Sequence, residues 1–414
     1  MIGEVPVGGR PLGESDVNVR HPALVLGLGD TGLAVVRALG RAGIVTHGVD
    51  RRRRIGFRSR YVKARICPDP RIQHEAFVAH LVSFARASDA PPVLFVTADV
   101  FLDAVARAWT RLSDHFLLLA PPPAVVNCFL DKHHLHRWCV DAGIAAPRSV
   151  HVTSPNGLGS EIDALTFPVF VKPSTAATRN GSFAGSAKGE VAHDPAEIRR
   201  IVAGATREGG DVIIQEVVQG PDTSCFKYCA LVASDGRRLL EFTMQKIRNF
   251  PAHFGVGSCC VSRLEPEVLA LGREVFERTG YRGVGSIEFK RDQRDGRLRL
   301  IEVNARYWQQ VALPTACGLN FPATHYLEAT GQAPGAVTEF TSGVKWLDLA
   351  ADLASCLEYQ REGTLTWTGW RQSLRGPMVS SDFDWSDVRP AALSARPRKS
   401  AARGAALLGR FLVR

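Results

Sequence analysis

Residues 285–290 read Gly-Ser-Ile-Glu-Phe-Lys, and residues 301–306 read Ile-Glu-Val-Asn-Ala-Arg. Both alternate apolar with polar residues, the period-2 pattern of a β-strand. Residues 291–296, Arg-Asp-Gln-Arg-Asp-Gly, make a turn-rich link between them. A hairpin through that link sets Glu288 beside Glu302. In an extended chain Glu302, Asn304 and Arg306 share one side. Two carboxylates and an amide oxygen then converge, followed by a guanidinium. Hard oxygen ligands of this kind suit Mg²⁺, which takes a few carboxylates plus substrate phosphates, and Mn²⁺ is compatible with them. Arg306 can hold a phosphate or an anionic intermediate. The apolar neighbours Ile287, Phe289, Leu300, Ile301 and Val303 argue against a merely solvated edge strand.

Outward from this hairpin, strands are predicted at 224–234, 238–248 and 283–292, with a helix over 265–280, giving an α+β body with an antiparallel sheet. Before it, FPVFVKP (167–173) and DVIIQEVV (211–218) read as strands around a helix at 194–205. Lys172 ends the first. Residues 179–189, a Gly/Ser-rich loop containing Lys188, can fold over polyphosphate with backbone N–H groups. The loop lacks a GK[ST] ending, so it is not a Walker A loop. A helix is expected over about 130–142, stopped by Gly143 and Pro147.

Nearer the N-terminus, strands at ALVLGLG (23–29), IVTHGVD (44–50), PPVLFVT (91–97) and HFLLLAPP (115–122) alternate with helices, which implies a parallel α/β sheet. Gly27, Gly29 and Gly32, with Asp50 at the end of the next strand, meet the dinucleotide-binding fingerprint in spacing and context. Read alone they are compatible with NAD or with a tight strand-to-helix turn. Asp99 follows Thr97 at the end of another strand, and it either caps the next helix or holds an ammonium group. Arg58 can clamp a carboxylate bidentately. Together with the Gly27–Gly32 turn these residues would form one wall of an acceptor pocket beyond the carboxyl ends of the strands.

The chain has 414 residues, 45% of them hydrophobic, which calls for two or three lobes rather than one core. No apolar run approaches a membrane span or a secretory signal. Nine irregularly spaced cysteines suit reduced thiols and a cytoplasmic setting better than a disulfide frame. The net charge of +10 gathers in Arg51–Arg54 and in a tail that carries no acid after Asp387. No aromatic-studded basic motif accompanies it, so nucleic acid is not the expected partner.

The order Asp131-Lys132, Phe167-Pro-Val-Phe-Val-Lys172-Pro, Ile-Ile-Gln215-Glu216-Val-Val218, Glu288 and Glu302-x-Asn304-x-Arg306 resembles the ATP-grasp superfamily over roughly 24–382. Within it the chain is most similar to predicted carboxylate–amine ligases related to D-aspartate ligase. That likeness rests on Gln245-Lys246-Ile-Arg248-Asn-Phe-Pro251, Arg306-Tyr-Trp308, Ala-Cys-Gly318-Leu-Asn320-Phe-Pro322 and Val-Lys345-Trp346.

The resemblance implies a flexible leader (1–20) and an N-terminal Rossmann-like pre-ATP-grasp domain (21–125). A two-lobed ATP-grasp domain (126–345) follows, with a small lobe at about 150–215 and a large lobe at about 216–345. A closing element (346–388), read as helical, and a basic tail (389–414) complete the chain. Lys132, Lys172 and Lys188 would contact ATP phosphates. Gln215, Glu216 and Val218 would meet adenine, and Asp222 ribose. Glu288, Glu302 and Asn304 would hold Mg²⁺. Lys246, Arg248 and Arg306 would steady the transferred phosphoryl group. The loop departs from the family in having no second basic residue just before Lys188. The implied activity is amide formation from a small carboxylate and an amine through an acyl phosphate, with a homodimer compatible. A carbamoyl-phosphate-synthetase-like or carboxylating enzyme, and a non-catalytic nucleotide- or dinucleotide-binding protein, are the alternatives.

Overall fold

The computed structural model describes residues 19–154, 158–174, 189–206 and 211–394. Strands β1 (Ala23–Leu26), β2 (Thr46–Asp50), β3 (Lys63–Ile66) and β4 (Val93–Val96) form a parallel sheet in the order β3-β2-β1-β4. Every residue of β1 and β4 is buried, as expected where helices cover both faces of a parallel sheet. The strand expected at 115–122 does not form. Leu117 makes one isolated bridge to Val93, and the prolines that follow end any extension, with Pro123 opening the helix Pro123–Leu130. In its place β3, with Lys63 and Arg65, forms a charged edge.

A small antiparallel sheet has the order β5-β8-β6-β7, with β5 (Ser149–Val152), β6 (Val169–Pro173), β7 (Glu190–Ala192) and β8 (Val212–Glu216). One face lays Val152, Val169, Val171, Val212 and Ile214 against Ile198, Ile201 and Val202 of the helix Pro195–Thr206. The register puts Ser149, Phe170, Lys172 and Gln215 on the other face. Residues 179–188 of the Gly/Ser-rich loop, Lys188 included, lie outside the described residues.

The large sheet has the order β13-β12-β9-β10-β11-β14-β15. Its strands are β9 (Cys225–Val232), β10 (Arg238–Phe250), β11 (Val256–Ser262), β12 (Gly283–Arg291), β13 (Leu298–Asn304), β14 (Lys345–Leu347) and β15 (Met378–Ser380). Strand β11, Val-Gly-Ser-Cys-Cys-Val-Ser, was not expected from the sequence. The closing element is helical only in part. It supplies the helices Leu349–Arg361 and Trp367–Ser373, but β14 and β15 extend the sheet. The helix Pro266–Arg278 covers β9 so closely that a Cβ at Gly272 would lie 2.2 Å from the Tyr228 ring.

Beyond β15 the chain returns to the parallel sheet. The buried carboxylate of Asp387 accepts from Arg37 Nε (3.0 Å), Ser59 Oγ (2.7 Å) and the Arg60 amide (2.9 Å). No helix among the described residues is long and apolar enough to cross a membrane.

Candidate active site

In the β12–β13 register Glu288 faces Glu302 and Ser286 faces Asn304, the pairing the sequence predicts. One step further Phe289 pairs with Leu300, so Ile301 is a bulge and the alternation holds only from Glu302 onward. Glu302 is exposed and Asn304 half-buried. Neither side chain hydrogen-bonds to another described residue. Glu288 accepts from Lys246 Nζ through Oε1, and Lys227 Nζ stands 3.8 Å from its Oε2. Burial works against the Lys246 ammonium, but the Glu288 carboxylate, with Cys225 and Cys260, outweighs it and raises its pKa above the usual lysine value.

The cysteines beside this cluster are inert. Burial is the main cause that pushes the thiol of Cys225 up to about 11 and that of Cys260 up to about 12, so neither supplies a thiolate nucleophile near neutral pH. No three His, Cys, Asp or Glu side chains gather to hold a metal among the described residues. A cation here would have Glu288, Glu302 and Asn304 as protein ligands and would take the rest from water or phosphate. That number and type of donor fit Mg²⁺.

The two arginines expected in the cluster are differently placed. Arg306 is gripped by Asp99: Nε donates to Oδ1 at 2.6 Å and Nη2 to Oδ2 at 3.0 Å, while Nη1 donates to the Tyr307 carbonyl at 2.9 Å. Asp99 opens the helix Asp99–Arg107 without capping it, since Ala98 is the N-cap and no side-chain cap bond forms. Both Asp99 oxygens accept from Arg306, so this carboxylate orients the guanidinium. Arg248 is engaged in a second ion pair. A bulge lies between Lys246, paired with Cys260, and Arg248, paired with Cys259. Past that bulge the Arg248 guanidinium binds Asp352 through Nε (2.9 Å) and Nη2 (2.8 Å) and Ser373 Oγ through Nη1 (2.7 Å). Asp352 is fully buried and also accepts from Ser258 Oγ and Trp370 Nε1. Arg248 therefore joins the closing helices to the sheet.

On the small sheet Lys172 Nζ donates to Gln215 Oε1 at 2.6 Å, and Gln215 Nε2 to Ser149 Oγ at 3.0 Å. Lys132 opens the helix Lys132–Asp141, capped by Asp131, and its Nζ reaches the Ser174 carbonyl at 3.1 Å. These contacts bring Lys132, Lys172 and Gln215 together. Phe170, on the Lys172 face, stacks on Phe254 of the β10–β11 turn with centroids 4.6 Å apart, which ties the small sheet to the large one. Val218 is buried, and Glu216 accepts from the Thr166 amide at 2.8 Å. Asp222 keeps its Oδ1 without a hydrogen-bond partner among the described residues, and its other oxygen is engaged within the protein. It is buried and accepts from the His253 amide (3.0 Å) and the Tyr359 hydroxyl.

At the first sheet Thr97 Oγ lies within 2.9 Å of the Leu26 and Gly27 carbonyls, so the two strand ends do converge. Gly27 has φ +93°, and a Cβ on Gly32 would lie 2.0 Å from the Gly27 carbonyl oxygen. Asp50 accepts the Leu28 amide at 2.8 Å. Chain packing alone thus accounts for Gly27, Gly32 and Asp50, and only Gly29 faces open space. The Gly56 amide donates to the Leu28 carbonyl at 2.9 Å and brings the turn Ile55–Arg58 alongside, with Arg58 exposed. Lys227 is the residue the sequence reading missed. A lysine inside the apolar run Cys-Phe-Lys-Tyr-Cys-Ala-Leu-Val was the available sign.

No family model matches the chain. D-aspartate ligase of Enterococcus faecium is 21% identical over 237 residues, 55% of this chain and 56% of that protein, so the likeness spans about half of the curated relative. Among solved structures, N5-carboxyaminoimidazole ribonucleotide synthetase in its ADP complex superposes with a TM-score of 0.62 at 14% identity, over 79% of this chain and 81% of that one. L-amino acid ligase from Bacillus licheniformis gives 0.58 at 15% identity, over 76% and 75%. Biotin carboxylase from Campylobacter jejuni gives 0.59 at 15% identity, over 77% and 73%. The chain has the fold of the ATP-grasp enzymes and is a distant sequence relative of D-aspartate ligase.

Proposed function

We propose that the chain is an ATP-dependent ligase that activates a small carboxylate as an acyl phosphate and joins it to an amine. The observation that carries this reading is the cross-strand pair Glu288–Glu302 with Asn304 on the same face, beside a buried lysine. The sequence likeness to D-aspartate ligase favours an amine acceptor over the carboxylation chemistry named for some structural neighbours.

In this reading Lys132 and Lys172 hold the phosphates and the 215–218 segment receives the adenine. Glu288, Glu302 and Asn304 hold Mg²⁺, which supplies charge neutralisation on the phosphate oxygens. The substrate carboxylate oxygen attacks the γ-phosphorus and ADP leaves. Lys246 and Arg306 steady the phosphoryl group and then the acyl phosphate. The amine nitrogen attacks the acyl carbon, inorganic phosphate leaves, and the nitrogen sheds its proton. The protein's share is positioning and electrostatics, and no side-chain nucleophile is needed. Residues 21–125 act as the Rossmann-like domain, with Arg58 and the open side of Gly29 toward the organic substrate. A cytoplasmic setting and a homodimer belong to the same proposal.

The test is a two-way screen of amino acids and small carboxylates for ADP and phosphate release. Release that requires both a carboxylate and an amine, with one amide formed per ADP, is expected. Release with bicarbonate alone would replace this reading with the carboxylating one.

Asp99 follows as a positioning residue. Asp99→Asn keeps the shape and removes the charge that aligns Arg306. The expected loss is about 10–100-fold in kcat, the usual cost of losing an orienting partner, with the KM for ATP within about twofold. A rise confined to the KM of the amine would restore the ammonium reading.

A further inference from the structure

Lys227 has no part in the proposed mechanism, and its setting is unusual. It lies in β9, between β10 and β12, in a strand whose eight residues are all buried. The register pairs it with Glu288 on one side and with Met244 on the other, so it stands on the same face as Lys246, Glu288, Glu302 and Asn304. It is 6% exposed, and the approach of its ammonium to Glu288, at 3.8 Å, is too long for a hydrogen bond. Lys246 takes the direct contact with that carboxylate. An ammonium has three donors, and burying one without partners is costly. Lys227 is thus a cation on a largely buried side chain on the carboxylate face, with its donors unspent on any described residue.

The charges around it point to what it would bind. Glu288 and Glu302 are balanced by Lys227 and Lys246, and Arg306 is balanced by Asp99. The face is near neutral as it stands, yet the proposed ligand brings several negative charges. Once a cation shares Glu288, the ammonium beside it is released toward an incoming anion. We propose that Lys227 binds the terminal phosphoryl group of ATP, and so is a further catalytic residue of this site. The inference rests on the ATP-dependent reading above. It selects the terminal phosphoryl because Lys132 and Lys172, near the hinge segment, serve the inner phosphates, whereas Lys227 lies among the carboxylates.

The test compares two nucleotides on the full chain by calorimetry with Mg²⁺ present. Lys227→Met keeps the length and apolar stem of the side chain and removes the charge. Its Kd for ADP should stay within twofold of the parent, and its Kd for a non-hydrolysable ATP analogue should rise at least tenfold. Lys227→Arg, which keeps the charge, should retain more of the analogue affinity than Lys227→Met. Equal loss for both nucleotides would mean that Lys227 only shapes the sheet, and no loss for either would make it a bystander. Either result overturns the proposal while leaving the ligase reading intact. A parent protein that binds neither nucleotide overturns both. If Lys227→Met does not fold, Lys227→Gln is read against the same limits.

Discussion

Glu302→Ala should reduce ADP formation at least about 100-fold while the melting temperature moves by no more than about 2 °C. The two halves of this expectation have separate causes. Glu302 is exposed and hydrogen-bonds to no described residue, and substitutions at such positions usually change stability by less than about 0.5 kcal/mol. For activity, the variant leaves one carboxylate and one amide to hold a cation against the charge of ATP. A bound metal supplies several kcal/mol of charge stabilisation, and each ~1.4 kcal/mol is tenfold in rate. Assays at saturating Mg²⁺, with melting curves of both proteins, measure the two halves separately. Activity within a few-fold of the parent would remove Glu302 from the site.

The second large effect is on stability. Asp352→Ala should lower unfolding stability by about 3–5 kcal/mol, the usual cost of stranding one member of a buried ion pair. Asp352 is fully buried and receives four hydrogen bonds, two from Arg248 and one each from Ser258 and Trp370. Removing it leaves a buried guanidinium and two orphaned donors. Urea unfolding of the single variants and of Asp352→Ala/Arg248→Met gives the coupling between the pair, and the double variant should recover part of the loss. A catalytic role for Arg248 predicts the opposite pattern, with activity lost and stability kept.

The Glu288–Glu302 pairing was legible because a two-residue period and a turn-rich link define a hairpin almost unaided. The strand positions of Lys172 and Gln215 were legible for a similar reason, since each follows an apolar run. What the sequence hid was mostly the effect of bulges and of distance. The bulge before Arg248 turns that side chain out of the Lys246 pattern, and a period-2 reading has no means to register one extra residue. Arg306 and Asp99 are 207 positions apart, so their ion pair was not legible from either segment alone. The contacts of Asp222 with Tyr359 and His253 were hidden for the same reason, lying 137 and 31 positions away. Strand β11 was missed because Gly257 and the Cys259-Cys260 pair blur its alternation.

The Asp387 clasp bears on how the chain is made. Its partners Arg37 and Ser59 precede it by 350 and 328 residues. At ~5–20 residues per second, a ribosome takes roughly 20–70 s to cover that distance. For most of that interval the parallel sheet, which ends with Val96, has been made while Arg37, buried in the finished protein, lacks its carboxylate. A nascent chain halted before Asp387 would present that unfinished edge to proteases and chaperones, and completion of the clasp would mark the moment at which the newly made protein stops being their substrate.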